Sequence, residues 1–340
     1  MVTSSYILAL ETSCDETSAA VVAENGEVLS NVVSSQIETH RATGGIVPEV
    51  ASRLQLELVI PVVEQAMVEA KIQRESICKV AVTSGPGLIG PLLVGTQTAA
   101  ALAYALGVPL VPVNHLAGHV YACLYQQEFV FPYLALIVSG NHTELVRMDD
   151  HHSFEVLGST RDDAAGEAFD KVARLLGMEY PGGPRISVAA SSGDARAYDF
   201  PRAMLNQDNL DFSFSGLKSA VRREVADRII TELDRANVAA AFQEAVVDIL
   251  VEKTVRAAKL TNPAAVLLGG GVAANTLLRS RLDTATDTLD IPLQCSPLEL
   301  ATDNAAMIGV AAVFSDAVVS PFEIEVDPSR AIDAGAASKR

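Results

Sequence analysis

The chain has 340 residues, 49% hydrophobic and 20% charged, which is apolar material for two cores rather than one. Its net charge of −17 excludes a protein that coats nucleic acid unaided, because phosphate contacts draw on Lys and Arg. No eighteen-residue window is apolar throughout, and the N-terminus lacks a basic start with a long apolar core. Cys14, Cys78, Cys123 and Cys295 are scattered without a CxxC pair, so a cytoplasmic chain with no membrane span and buried thiols is expected.

YILALET, SAAVVAE and EVLSNVVSSQ are β-rich runs separated by short turns. PEVASRLQLELVIPVVEQAMVEAK carries a helical pattern that Pro61 is expected to interrupt. KVAVTSG reads as a strand, PGLIGPLLVG as a Gly/Pro-rich loop and TQTAAALAYALG as the helix it feeds. PLVPV is the next strand, and Asn114 is a good N-cap for a helix opening at His115. After the aromatic connector QEFVFPY the order restarts with three strand-like runs, LALIVS, HTELVRM and FEVLGS. A polar and basic helical insertion is expected around residues 190–235, before the long helix NVAAAFQEAVVDILVEKTVRAAK. Strand AVLLGG, a helix from Asn275, the short strand PLQCS and a last helix, DNAAMIGVAAVF, complete the pattern. The tail after Pro321, rich in Ala, Asp and Ser, predicts poor order.

Three strands followed by alternating helices and strands thus occur twice, a repeat of topology rather than of residues. The expectation is an α/β protein with two related domains, 1–125 and 126–302, flanking a ligand cleft. Residues 303–320 are expected to pack back on the first domain, with 321–340 as a tail.

In NHLAGH, His115 and His119 stand four residues apart, on one face of a helix. They either decorate a helix start or point at one ion. Asp303 in ATDNAAM also sits where a helix begins, and two imidazoles plus a carboxylate with open positions suit iron or zinc. An HExxH peptidase needs Glu after the first His as its base, and Leu116 stands there. ALETSCDETSAAVV sets Glu11, Asp15 and Glu16 among small hydroxyl residues at a strand end. That is a polar hairpin, or a turn whose amides meet phosphate while a carboxylate orients a reacting group. IVSGNHTELV repeats the arrangement with Ser139, Gly140 and Asn141 in the turn. Gly269 to Gly271 form a third glycine run, before the helix at Asn275, where a base or sugar can approach closely.

Together these elements resemble the actin-like ATPase and sugar kinase (ASKHA) superfamily, and more closely the TsaD-type tRNA N6-adenosine threonylcarbamoyltransferases. The motifs that carry the resemblance run in order along nearly the whole chain: ETSCDETS, SSQIETHRATGGIVPEVASR, GPGLIGPLLVG, NHLAGH, IVSGNHTELV, GEAFDKVARLLGMEYPGGP, FSFSGLKSAV, GGGVAAN and ATDNAAM. The resemblance implies an actin-like fold and transfer of threonylcarbamoyl from threonylcarbamoyl-AMP to the adenosine 3′ of an anticodon, in tRNAs reading ANN codons. It implies metal ligands at His115, His119 and Asp303, with Fe(2+) favoured over Zn(2+). Substrate contacts are implied at Ile137, Val138, Ser139, Gly140, Asn141, Asp170, Gly183 and Asn275, with Asp15 and Glu16 catalytic. Adenine nucleotide, as the donor or as ATP, is the implied ligand.

The chain departs from the family at several of these positions. SGN stands where many relatives read SGG, Ala117 where others have Glu, Ile137 where archaeal members offer a Tyr ligand, and Ser187 where some bacterial members carry a substrate-contacting Asp. FSFSGLKSAVRREV puts Lys218 and Arg222 one turn apart, beside Arg223 and near Phe212 and Phe214; this is a solvated basic face or a tRNA contact. The implied partners are a TsaB-like actin-fold protein, a TsaE-like ATPase and a TsaC-type enzyme that supplies the donor. Two other functions fit such a chain less fully, an ASKHA carbamoyltransferase or kinase acting on a small molecule and a non-catalytic scaffold.

Overall fold

The computed structural model describes residues 5–226 and 229–334. Its first half comprises β1 (Tyr6–Glu11), β2 (Glu16–Ala23), β3 (Val28–Ser35), α1 (Ile37–Arg41), α2 (Pro48–Ala70), β4 (Ile77–Gly85), α3 (Ile89–Leu106), β5 (Leu110–Asn114) and α4 (His115–Cys123). The second half comprises β6 (Tyr133–Val138), β7 (Thr143–Asp150), β8 (Ser153–Ser159), α5 (Ala165–Leu175), α6 (Gly182–Ala190), α7 (Ser215–Val225), α8 (Glu232–Thr261), β9 (Ala265–Gly269), α9 (Thr276–Asp287), β10 (Leu293–Cys295) and α10 (Ala305–Val313). One sheet has the order β3-β2-β1-β4-β5 and the other β10-β9-β6-β7-β8. Read from β3 and from β8, the two orders are the same, with an antiparallel meander followed by two parallel strands in each. The duplicated topology expected from the alternation of strand and helix signals is therefore present.

Strands β1 and β6 are apolar on both faces, as strands covered on both sides must be. Leu8 and Leu10 face α2 and α3, while Ile7 and Ala9 join a central layer with α4 and α10. In the second sheet Leu134, Leu136 and Val138 face α5 and α8, and Tyr133, Ala135 and Ile137 face that same central layer. The helices α4 and α10 thus lie between the two sheets, the first running out of β5 and the second packed on β1, β2 and β3. Gly309 is what lets α10 come so close: a methyl group there would lie 2.5 Å from the Val22 side chain. Helix α3 is long and apolar enough to cross a membrane, yet its Leu92, Val94, Ala99 and Ala103 are buried against the first sheet.

The structure corrects four sequence expectations. Helix α2 runs unbroken through Pro61, whose ring lies on the exposed side while Val59, Val62, Val63 and Ala66 stay buried. The Gly/Pro-rich segment after β4 is mostly helix, since α3 begins at Ile89 and takes in Gly90, Pro91 and Gly95; Pro near a helix start costs no hydrogen bond. The stretch around 190–235 is largely irregular, with α7 as its own helix between α6 and α8. The tail after Pro321 packs on the protein through residue 334. Asp327 N–H donates to the Ser84 carbonyl, Asn114 Nδ2 donates to the carbonyls of Arg330 and Ala331, and Ile332 is buried in the central layer. Residues 335–340 of that tail lie outside the described ones.

Candidate active site

The ends of β1, β5 and β6, with the starts of α5 and α10, open into one cavity of about 890 Å³ between the two halves. This is the crevice outside the carboxyl ends of strands where α/β folds bind ligands. Both turn motifs line it, Cys14, Asp15 and Glu16 from one side and Ser139, Gly140 and Asn141 from the other. Asn141 Nδ2 reaches to 3.9 Å from Cys14 Sγ across the gap.

Asn114 caps α4 as expected, its Oδ1 accepting from Leu116 N–H at 2.9 Å and Ala117 N–H at 3.3 Å. The helix start is thereby fixed, and His115 and His119 leave it on one face with ring centroids 4.8 Å apart. Asn304 caps α10 by accepting from Met307 N–H. Ala305 N–H donates to Ser18 Oγ on β2 and Ala306 N–H to Asn31 Oδ1 on β3. These anchors bring Asp303 to the histidines, its Oδ1 lying 3.5 Å from His115 Nε2 and 3.3 Å from His119 Nε2. One donor atom from each of the three residues falls within 4.8 Å of the others.

The cluster fits a metal ion on its own chemistry. His119 is fully buried, and among the described residues neither of its ring nitrogens makes a hydrogen bond of regular geometry, despite the nearby Asp303 oxygen. A buried unpartnered imidazole is costly unless a Lewis acid or proton partner meets it. Burial works against charge on His115, but the carboxylates of Asp303 and Glu11 outweigh it and raise its pKa to about 9. Burial likewise works against charge on Asp303, and the histidines overcome it and hold the carboxyl well below its usual range. His142, on the rim, is pushed down to about 4 by burial and by the two neighbouring histidines. Two imidazoles and a carboxylate, with His115 and Asp303 lining the cavity, form a donor set for a divalent cation.

Asp15 is buried, and its Oδ2 has no hydrogen-bond partner among the described residues. Glu16 accepts from Ser35 Oγ at 3.2 Å; burial, with Asp15 and Asp303 close by, pushes its carboxyl well up. Asp170 accepts from Gly182 N–H at 2.7 Å and reaches the cavity beside Gly183; burial raises it to about 6 against the opposing pull of that amide. Asn275 caps α9 through Leu278 N–H, while its Nδ2 donates to Ser187 Oγ at 3.0 Å and Gln243 Oε1 at 2.8 Å. Glycine is required at two close approaches: a methyl group at Gly166 would meet the Ser139 carbonyl at 2.5 Å, and one at Gly270 the Val138 carbonyl at 2.4 Å. The first seats the N-terminus of α5 against the Ser139 turn, with Ala165 N–H donating to Thr143 Oγ1 and Gly166 N–H to the Ser139 carbonyl.

Not every sequence-predicted residue reaches the cavity. The side chains of Ile137 and Val138 are fully buried in the two cores on either face of β6, so that only Ser139, Gly140 and Asn141 of that run line it. On α7, Lys218 is half-buried and paired with Asp163 at 2.8 Å, and Phe212 and Phe214, just before that helix, are fully buried. Arg222 and Arg223 are exposed and form no ion pair among the described residues. Two polar residues escaped the sequence reading as parts of the site: Gln55 holds the N-terminal turn through the carbonyls of Thr12, Cys14 and Glu16, and Gln243 supports Asn275 and Ser187. Each is a single buried polar residue on an apolar helix face, where only the break in periodicity could have marked it. Glu11, read in the sequence only as a carboxylate of the N-terminal motif, meets His115.

A family model described as TsaD, tRNA N6-adenosine threonylcarbamoyltransferase, matches residues 27–310. Relatives of that name include one from Geobacillus kaustophilus, 56% identical over 309 residues and covering 90% of each chain. Another, from Moorella thermoacetica, is 52% identical over 317 residues, covering 92% of this chain and 93% of the relative. Among solved structures, HypF of T. kodakarensis superposes with a TM-score of 0.65 at 14% identity, over 91% of this chain and 48% of that one. Component A of Acidaminococcus fermentans (R)-2-hydroxyglutaryl-CoA dehydratase gives 0.53 at 13% identity, over 91% and 98%. At such identities these two establish the shared actin-like architecture alone. The sequence relatives go further: this chain belongs to the TsaD family of tRNA N6-adenosine threonylcarbamoyltransferases.

Proposed function

We propose that the chain transfers the threonylcarbamoyl group from threonylcarbamoyl-AMP to N6 of the adenosine 3′ of the anticodon in tRNAs reading ANN codons. The observation that carries this is one nucleotide-sized cavity lined by both turn motifs and by His115 and Asp303, with His119 buried directly behind them. The exocyclic amine is a poor nucleophile and the donor a reactive mixed anhydride, so the site's task is positioning and charge stabilisation. The amine lone pair forms the new C–N bond at the carbamoyl carbon, the bond from that carbon to the phosphate oxygen breaks, and AMP leaves with the electron pair. Asp15, which lines the cavity and has an oxygen without a hydrogen-bond partner among the described residues, accepts a hydrogen bond from the amine and takes its proton. Glu16, held protonated more readily than an ordinary carboxyl, avoids a second charge beside it.

The amides of Gly140 and Asn141 receive the AMP phosphate, and Asp170, Gly183 and Asn275 border the nucleoside end. His115, His119 and Asp303 hold one divalent ion, with iron favoured over zinc, which would polarise carbonyl or phosphate oxygens as a Lewis acid. Ile137 and Val138, buried and paired within the sheet, serve by carrying the Ser139–Asn141 turn into the cavity. ATP occupying the donor cleft would use the same phosphate turn.

The acidic chain needs help to hold tRNA. Arg222 and Arg223 are its candidate contacts, and an actin-fold partner and a small ATPase supply further surface in this reading, with a third enzyme making the donor in the cytoplasm. The test is transfer of labelled threonine from synthetic threonylcarbamoyl-AMP, with partners present, into an ANN-decoding tRNA and into the same tRNA carrying guanosine at the target position. Label in the first and not the second is expected. Label in a small acceptor without tRNA would favour the small-molecule carbamoyltransferase.

A further inference from the structure

Glu11 ends β1 with its side chain fully buried, and the only basic side chain that meets it among the described residues is His115. Its two oxygens are fully used as acceptors. Ser13 N–H donates to Oε1; Thr83 Oγ1 donates to Oε2 at 2.6 Å, and His115 Nδ1 lies 3.0 Å from that same oxygen. Ser13 Oγ stands 3.2 Å from His115 Nδ1 on the other side. A carboxylate oxygen has no proton to give, so His115 Nδ1 must carry the hydrogen in this contact. The ring then turns Nε2 toward Asp303 and His119, where a bound metal would take its lone pair.

We propose that Glu11 is the positioning residue of the metal site, fixing His115 as the Nδ1–H tautomer so that Nε2 is the ligand. The inference rests on the metal reading of His115, His119 and Asp303 given above. Strand pairing supplies the rigidity: β4 lies parallel beside β1, and its Thr83 reaches across to hold the carboxylate from the far side. Helix α4 brings the ring to the carboxylate from the β5 side. Outer hydrogen bonds of this kind fix the tautomer and raise the basicity of a ligating imidazole, and their loss typically costs 10–100-fold in metal affinity.

Glu11→Gln is the informative variant because it keeps size and shape. Its amide oxygen goes to Ser13 N–H, which leaves the NH2 group facing Thr83 and His115 Nδ1. His115 then accepts at Nδ1, and its hydrogen moves to Nε2, where it blocks the ligand lone pair. Zinc affinity, measured by competition with a chromophoric chelator, should fall about 10–100-fold in Glu11→Gln, with the far-ultraviolet circular dichroism unchanged. The second measurement needs no variant: histidine ring nitrogen NMR of the zinc-loaded parent should show His115 protonated at Nδ1 and metallated at Nε2. Unchanged zinc affinity in a folded Glu11→Gln, or metallation of His115 at Nδ1 in the parent, overturns the proposal while leaving the metal site standing. If zinc binds the parent no better than a His115→Ala/His119→Ala variant, the metal reading falls and this proposal with it. Should Glu11→Gln fail to fold, the parent spectrum decides alone.

Discussion

At the scale of single residues, the site concentrates carboxyl groups that folding keeps from ordinary solvation. Asp170 is the most open to a direct test. Burial raises its pKa from 3.8 to about 6, so the folded state favours the neutral acid. The stability attached to that proton is complete below pH 3.8 and is lost as pH rises through about 6. Asp170→Asn keeps the acceptor for Gly182 N–H without the charge. Its gain over the parent should be absent at pH 3.5–4 and reach about 1–3 kcal/mol above pH 7, read from denaturant midpoints. A gain of equal size at both pH values would mean that the Asp170 charge is not what destabilises the site. His115, His119 and Asp303 were legible in the sequence because helix spacing and two Asn caps announce where they sit. Gln55 was not assigned a place in the site, and Glu11 stood out only as one carboxylate of its motif without its His115 partner, since a buried polar side chain acquires meaning from the partner that folding brings to it.

At the scale of elements, the site depends on how α10 and the tail close onto the first sheet. Alternation of strand and helix signals was enough to give the duplicated element order, though not the strand order within each sheet, and composition misjudged the tail. Its Asp and Ser residues look like a solvated terminus, but they are hydrogen-bonded: Ser329 N–H and Oγ both donate to Asp327, and Arg330 donates to Ser84 Oγ. Gly85 shows how tightly this segment packs, since a methyl group there would overlap the Asp327 carbonyl at 1.9 Å. Ending the chain at residue 326 removes the partners of the Ser84 carbonyl, Gly87 N–H and Asn114 Nδ2, together with the buried Ile332. A loss of about 2–5 kcal/mol is expected in chemical denaturation. A truncated chain as stable as the parent would show that these contacts contribute nothing net. Asn114 also caps α4, so the loosened segment adjoins the helix that carries both histidines.

At the scale of the whole molecule, two like-folded halves place one turn each around a shared cavity, which neither half could enclose alone. This is why the sequence motifs, each weak by itself, became informative in combination: the fold is what brings residues 11–16, 115–119, 139–141, 170, 275 and 303 together. The surroundings of the basic run were much less legible, because the sequence does not reveal that Lys218 is paired with Asp163 or that two Phe rings lie in the core. The central claim is that this cavity, with its histidine and aspartate cluster, carries out the transfer to tRNA. Single-turnover transfer of labelled threonylcarbamoyl from synthetic threonylcarbamoyl-AMP to tRNA, comparing the parent with His115→Ala/His119→Ala in the presence of the same partners, tests it most directly. The account predicts a rate at least about 100-fold lower for the variant; equal rates from a folded variant would contradict it.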